Sequence, residues 1–205
     1  MDKEKERALK LLNKNCEILL KRYAKQYHLK KKLDCLWTEQ DGMISVLVLY
    51  VSEEKGMPRM YMQTFIKPVW LDELFWEIMD IRHGKYIPMS EHVVGTFTVH
   101  GVLTARADFP VPEYSAPVLE HLIAAETEKF ADDIPQYTED AYFQKLDSGV
   151  TMKDGDVMRV LNAIHREDFK RARALLQKHS LSPFSAGTAD FKKQALRYLE
   201  NAEKK

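Results

Sequence analysis

The sequence predicts an α+β protein: an antiparallel sheet of about four strands packed with helices, followed by an all-helical C-terminal region. Three observations carry this reading. Met43 to Val51 is a nine-residue run in which Ser45 is the single polar member. Arg59 to Lys67 and Val93 to Phe109 add two further extended patterns. Apolar residues recur at steps of three and four near the N-terminus and again beyond Pro110-Val111-Pro112, where no strand pattern continues. That change of character sets a boundary. Residues 1–112 read as a sheet domain with a long N-terminal helix, a three-stranded meander, a short helix and a further strand. Residues 113–205 read as a helical extension packed on it.

The elements follow in order. Leu9, Leu12, Cys16, Leu19, Tyr23 and Tyr27 draw one apolar stripe over a helix spanning 3–32. Leu33 to Glu39 is the first strand, and Gln40-Asp41-Gly42 supplies a tight turn, since Asp-Gly favours positive φ. In the Met43 to Val51 run both alternation classes are apolar, so this strand is expected inside the sheet and covered on both faces. Ser52 to Gly56 turns the chain into Arg59 to Lys67, where Met60, Met62, Thr64 and Ile66 form the apolar face and Arg59, Gln63 and Lys67 look outward. Leu71, Leu74, Phe75, Ile78 and Met79 stripe a short helix over 70–81. A cation and a glycine close it at Arg82-His83-Gly84-Lys85.

Val93 to Phe109 alternates throughout. Val99, Leu103, Ala105 and Phe109 share one face with their neighbours of the same parity; Thr96, Thr98, His100, Thr104, Arg106 and Asp108 share the other. Seventeen residues exceed an ordinary strand, so a bend is expected near Gly101. Beyond Pro112, Ser115 caps a helix with Pro117 in its first turn, and Thr138 caps another. Gly149 and Gly155 bracket a turn, Val157–Ile164 and Phe169–Leu176 form a helical hairpin, Ser182-Pro183 breaks the pattern, and a final helix carries Phe191, Ala195, Tyr198 and Leu199. The hairpin resembles a single tetratricopeptide unit, but no second copy follows at that period.

Composition excludes several classes. The 205 residues are 45% hydrophobic and 30% charged, the balance of a globular protein and neither of a disordered nor of a fibrous one. No apolar run approaches bilayer length, the N-terminus lacks the apolar core of a signal peptide, and Cys16 and Cys35 stand outside any CxxC pattern. A cytoplasmic protein with free thiols is expected. The net charge of zero hides blocks of +7 over 1–32, −5 over 33–110, −8 over 111–156 and +6 over 157–205. No Lys/Arg run exceeds three and none is interleaved with aromatics, so these are read as solvated helix faces and nucleic acid is not expected as a partner.

The chemistry-bearing motifs are sparse. The seven histidines show neither HxH nor HExxH spacing, and the eight glycines form no phosphate-binding loop. The acidic pairs Glu53-Glu54, Asp72-Glu73, Asp132-Asp133 and Glu139-Asp140 fall in turns or first helical turns, where the helix dipole favours anions. No catalytic set, metal site or cofactor is therefore expected. The row Thr96, Thr98, His100 and Arg106 is the candidate binding site, with two readings. It is an ordinary solvent face, or it is the floor of a cleft able to hold an anionic ligand.

Leu36-Trp37-Thr38, Ile44 to Val51, Phe65-Ile66 and Trp70 to Trp76 occur in the order helix, meander, Trp-rich helix, further strand. Over about the first half of the chain this resembles the uncharacterised bacterial family catalogued as domain of unknown function 4304. The resemblance implies a bacterial α+β domain and transfers no catalytic residues. The functional expectation is thus a non-catalytic module binding another protein; the alternative is a small-molecule binder or enzyme using the polar face of 93–109.

Overall fold

The computed structural model describes residues 3–81, 87–95, 98–148, 155–178 and 191–202. In chain order these form α1 (Lys3–Gln26), β1 (Lys30–Lys32), β2 (Cys35–Gln40), β3 (Met43–Glu54), β4 (Met57–Pro68), α2 (Val69–Ile78), α3 (Met89–Val93), β5 (Val102–Pro110), α4 (Ala116–Asp133), α5 (Glu139–Asp147), α6 (Gly155–His165), α7 (Phe169–Lys178) and α8 (Phe191–Ala202). The α+β class holds. The strands make one antiparallel sheet in the order β1-β2-β3-β4-β5.

The fifth strand comes from residues that the sequence assigns to the first helix. That helix ends at Gln26, because His28 takes φ 55° and the Leu29 and His28 amides donate to the Ala24 and Lys25 carbonyls at 2.8 and 3.5 Å. This is a Schellman cap built without glycine. Lys30–Lys32 then pairs with β2, Lys30 opposite Trp37. Asp41 (φ 52°) and Gly42 (φ 75°) turn β2 into β3 with Gln40 opposite Met43, and Lys55 and Gly56 do the same between β3 and β4.

Residues group into two compact units, each built from two stretches of chain: Met1–Ile66 with Leu103–Ala141, and Lys67–Val102 with Tyr142–Lys205. This differs from a single boundary at 112/113. In the first unit Leu12, Leu19 and Leu20 of α1 meet Leu36, Leu47, Leu49 and Met60 of the sheet and Leu119, Ile123 and Phe130 of α4. The apolar stripe of α4 thus completes the sheet's core, which is why the first helix of the expected extension belongs with the strands. On β3 both faces are buried through Leu47; beyond it only Leu49 and Val51 remain so, and Tyr50 is exposed.

In the second unit α2 packs on α6 and α8, and α6 and α7 form the expected hairpin. Phe75 lies 5.7 Å from Phe191, ring to ring, and Leu71, Ile78, Leu161 and Leu199 of the same unit are buried. Asp168 caps α7, accepting the Arg171 amide at 3.0 Å, after Glu167 (φ 56°) has closed α6. Ser115 and Thr138 cap α4 and α5 as the sequence indicates.

The largest departure concerns 93–109. Among its described residues only Val102–Pro110 form a strand; Met89–Val93 is a helical turn, and the described part of 94–101 has no regular structure. The helix end at 82–85, the turn from Gly149 and the Ser182-Pro183 breaker lie outside the described residues.

Candidate functional site

Two constellations in the second unit compete for a functional role: a buried ionic knot and an open groove. The knot joins the end of β4, the first turn of α2 and α3. Lys67 Nζ donates to Asp72 Oδ2 at 2.7 Å, and His92 Nδ1 stands 3.1 Å from the same oxygen. A carboxylate oxygen accepts, so this contact assigns the ring hydrogen to Nδ1. The three side chains are 5%, 0% and 4% exposed, which closes them to any substrate. Trp76 lies against the imidazole with ring centres 4.6 Å apart.

The same two charges explain why Val99 is not part of a strand. The Val99 amide donates to Asp72 Oδ1 at 2.8 Å, and the Val99 carbonyl accepts from Lys67 Nζ at 2.7 Å. Both backbone groups of Val99 are therefore satisfied by side chains where a neighbouring strand would otherwise supply partners. Lys67, expected to look outward, is buried because the Asp72 carboxylate and the Val99 carbonyl draw its ammonium inward. Asp72, expected to serve the helix dipole in the first turn of α2, also accepts three hydrogen bonds, from Lys67, His92 and the Val99 amide.

The groove is lined by Leu74 and Glu77 of α2, Ile164, His165, Glu167 and Phe169 at the α6–α7 turn, and Tyr198, Asn201 and Ala202 of α8, with a volume of 680 Å³. Ligand sites occupy about 300–1,000 Å³. The cavity of 120 Å³ in the first unit, beside the Asp41 turn, is too small to join them. His165 is held flat on Trp70, ring centres 3.8 Å apart and planes 2° from parallel. Burial pushes the Tyr198 phenol up, and the adjacent Glu77 carboxylate, which accepts its hydroxyl, pushes the same way.

The sequence-derived row is dispersed. Thr98 is half-buried in the loop and donates to the Gly95 carbonyl at 3.3 Å; His100 is exposed two residues on. Arg106 is exposed on β5 in the first unit, and Thr96 lies outside the described residues. No single strand face carries Thr98, His100 and Arg106 together. Sequence reasoning missed both the knot and the groove, whose members are separated by up to 32 residues and by over 120. The stripe holding Leu74 and the stripe holding Tyr198 were visible only as separate helix faces.

Two further groups bear on chemistry. Cys16 and Cys35 are free and buried; desolvation, reinforced by the Asp34 charge, pushes their thiols up to about 12 and about 11, far from nucleophilic thiolates. Among the described residues no three His, Cys, Asp or Glu side chains gather as metal ligands would, and no helix is long and apolar enough to cross a membrane. Compared with known proteins, the chain matches no family model, and no curated protein or solved structure shows detectable similarity to it.

Proposed function

We propose that this chain is a non-catalytic binding module of the cytoplasm that seats a segment of a partner protein in the groove between α2, the α6–α7 turn and α8. The observation that supports it is the groove's lining. Leu74, Ile164, Phe169 and Ala202 offer an apolar floor for one anchoring side chain, while Glu77 and Glu167 favour a cationic flank. The cluster of Lys67, Asp72 and His92 is sealed from solvent and spends its hydrogen bonds on the fold. The two buried thiols suit a reducing compartment. The order of α1, meander, Trp-bearing α2 and β5 supports the proposed kinship with the bacterial family of domain of unknown function 4304. The alternative, a small ligand on 93–109, has less support because Thr98 and His100 sit in a loop and Arg106 on a strand.

Affinity capture from the native cells tests the reading with paired baits, the unaltered chain and Asn201→Arg. Asn201 is exposed at the groove, so the substitution obstructs it and adds a repelling cation without disturbing the core. A partner held by the unaltered chain should bind the variant roughly tenfold more weakly or worse, about 1.4 kcal/mol. Identical capture by both baits, or turnover of a small molecule abolished by Asn201→Arg, would contradict protein binding at this site.

A further inference from the structure

The open edge of β5 carries a pattern complementary to itself. The sheet has two terminal strands. One, β1, is three lysines long, and a second copy laid along it would set lysine against lysine, a common guard against edge pairing. The other, β5, runs nine residues and bears charges of both signs. Its alternation is unbroken from Ala105 to Val111: Ala105, Ala107 and Phe109 pack half-buried on the core, while Arg106 and Asp108 are exposed. Inward side chains on β3 and β4, such as Leu49 and Met60, are fully buried, whereas Ala105, Ala107 and Phe109 on β5 are only partly covered.

Backbone direction follows from one bond. The Val111 amide donates to the Pro58 carbonyl of β4 at 2.9 Å. In a regular strand amides alternate sides, so those of Thr104, Arg106 and Asp108 face the open edge. Pro110, with no amide hydrogen, falls in the same set, where its lack is harmless to the β4 ladder.

We infer that β5 pairs antiparallel with β5 of a second copy of this chain, about a two-fold axis through Ala107. Each Arg106 then stands opposite the partner's Asp108 in a hydrogen-bonded pair, and each Phe109 opposite the partner's Ala105, large against small. Moving the axis to Arg106 or Asp108 would oppose like charges at the centre, so electrostatics selects the register. Arg106 has no ion-pair partner among the described residues, and Asp108 is held by Arg59 through Oδ2 at 2.6 Å, which leaves Oδ1 for the incoming guanidinium.

Analytical ultracentrifugation of the full chain tests this together with a cysteine placed on the axis. In a non-hydrogen-bonded antiparallel pair the Cα atoms stand about 4.5 Å apart, within disulfide reach. A concentration-dependent dimer is expected; Ala107→Cys should convert to a covalent dimer on mild oxidation, whereas Ala105→Cys should not. Arg106→Asp, which faces the partner's Asp108 with a like charge, should weaken the dimer at least roughly tenfold with an unchanged circular dichroism spectrum, and Arg106→Lys should preserve it. A monomer at every concentration overturns the inference, and so does a dimer indifferent to Arg106→Asp and uncrosslinked through Ala107→Cys. An extended foreign peptide captured on this edge by a monomer would overturn it equally.

Discussion

Removing an ammonium or a carboxylate from water costs several kcal/mol, and Lys67 and Asp72 offset that by facing each other and by bonding Val99 and His92. Deleting one partner leaves the other charge uncompensated. Lys67→Met should therefore destabilise the fold by about 3–5 kcal/mol in urea titrations. Adding Asp72→Asn should cost less than the sum of the two single changes, since the buried charge is then gone. Additive effects would mean that the two side chains are not coupled. The thiols give a pH test. Cys16 and Cys35 have folded-state values raised above those of the unfolded chain, as has Tyr137, pushed to about 12 mainly by burial. Groups raised in this way stabilise fully below the unfolded value and lose that contribution as pH climbs toward the folded one. Stability should thus fall from about pH 9 upward as far as 12, and thiol reagents should label neither cysteine of the folded protein quickly at neutral pH. A flat alkaline profile would contradict the burial. At this scale the sequence was least informative. Lys67 reads as an outward strand residue by parity, and nothing local shows that its partners lie 5 and 32 residues away.

Elements were legible where their signals are local. Asp41-Gly42, the Ser115 and Thr138 caps and the helical hairpin are all where turn and capping chemistry places them. Helix ends were not, because α1, α2 and α6 stop at His28, Asp80 and Glu167, each in the left-handed region that glycine usually fills. An L-residue there carries roughly 1–2 kcal/mol of strain. His28→Gly should accordingly raise the melting temperature modestly, by up to about 1 kcal/mol of stability after glycine's greater freedom in the unfolded chain is deducted. A fall in the midpoint would show that the imidazole has a structural role. The alternation around Val99 misled because a period of two reports only which residues are covered. Val99 is indeed buried, but in a loop tied to Asp72 and Lys67. Gly95 belongs to the same loop, and a Cβ there would run into the Glu91 carbonyl oxygen. Gly95→Ala should cost about 1–3 kcal/mol, read from thermal melts, while the neutral outcome would mean that this backbone yields easily.

At the scale of the whole chain, composition and periodicity give the α+β class, but not the grouping of elements into units. Two stretches of chain build each unit, so α2, between two strands in sequence, shares its core with the C-terminal helices. The groove inherits this arrangement: it needs α2, α6, α7 and α8 together, and no contiguous motif announces it. Charge segregation along the sequence does not by itself make a nucleic-acid site, and the acidic residues lining the groove, Glu77 and Glu167, disfavour phosphates there. Binding to nonspecific DNA should be weak even at low salt; a tight association falling steeply with salt would overturn that expectation. The central claim is that the protein acts by holding a partner in this groove. The most direct measurement is photocrosslinking in the native cells with a benzophenone side chain in place of Asn201, compared with one in place of Lys14 on α1. The account predicts a discrete protein adduct from position 201 and none from 14. Adducts from position 14 alone, or from neither position, would contradict it.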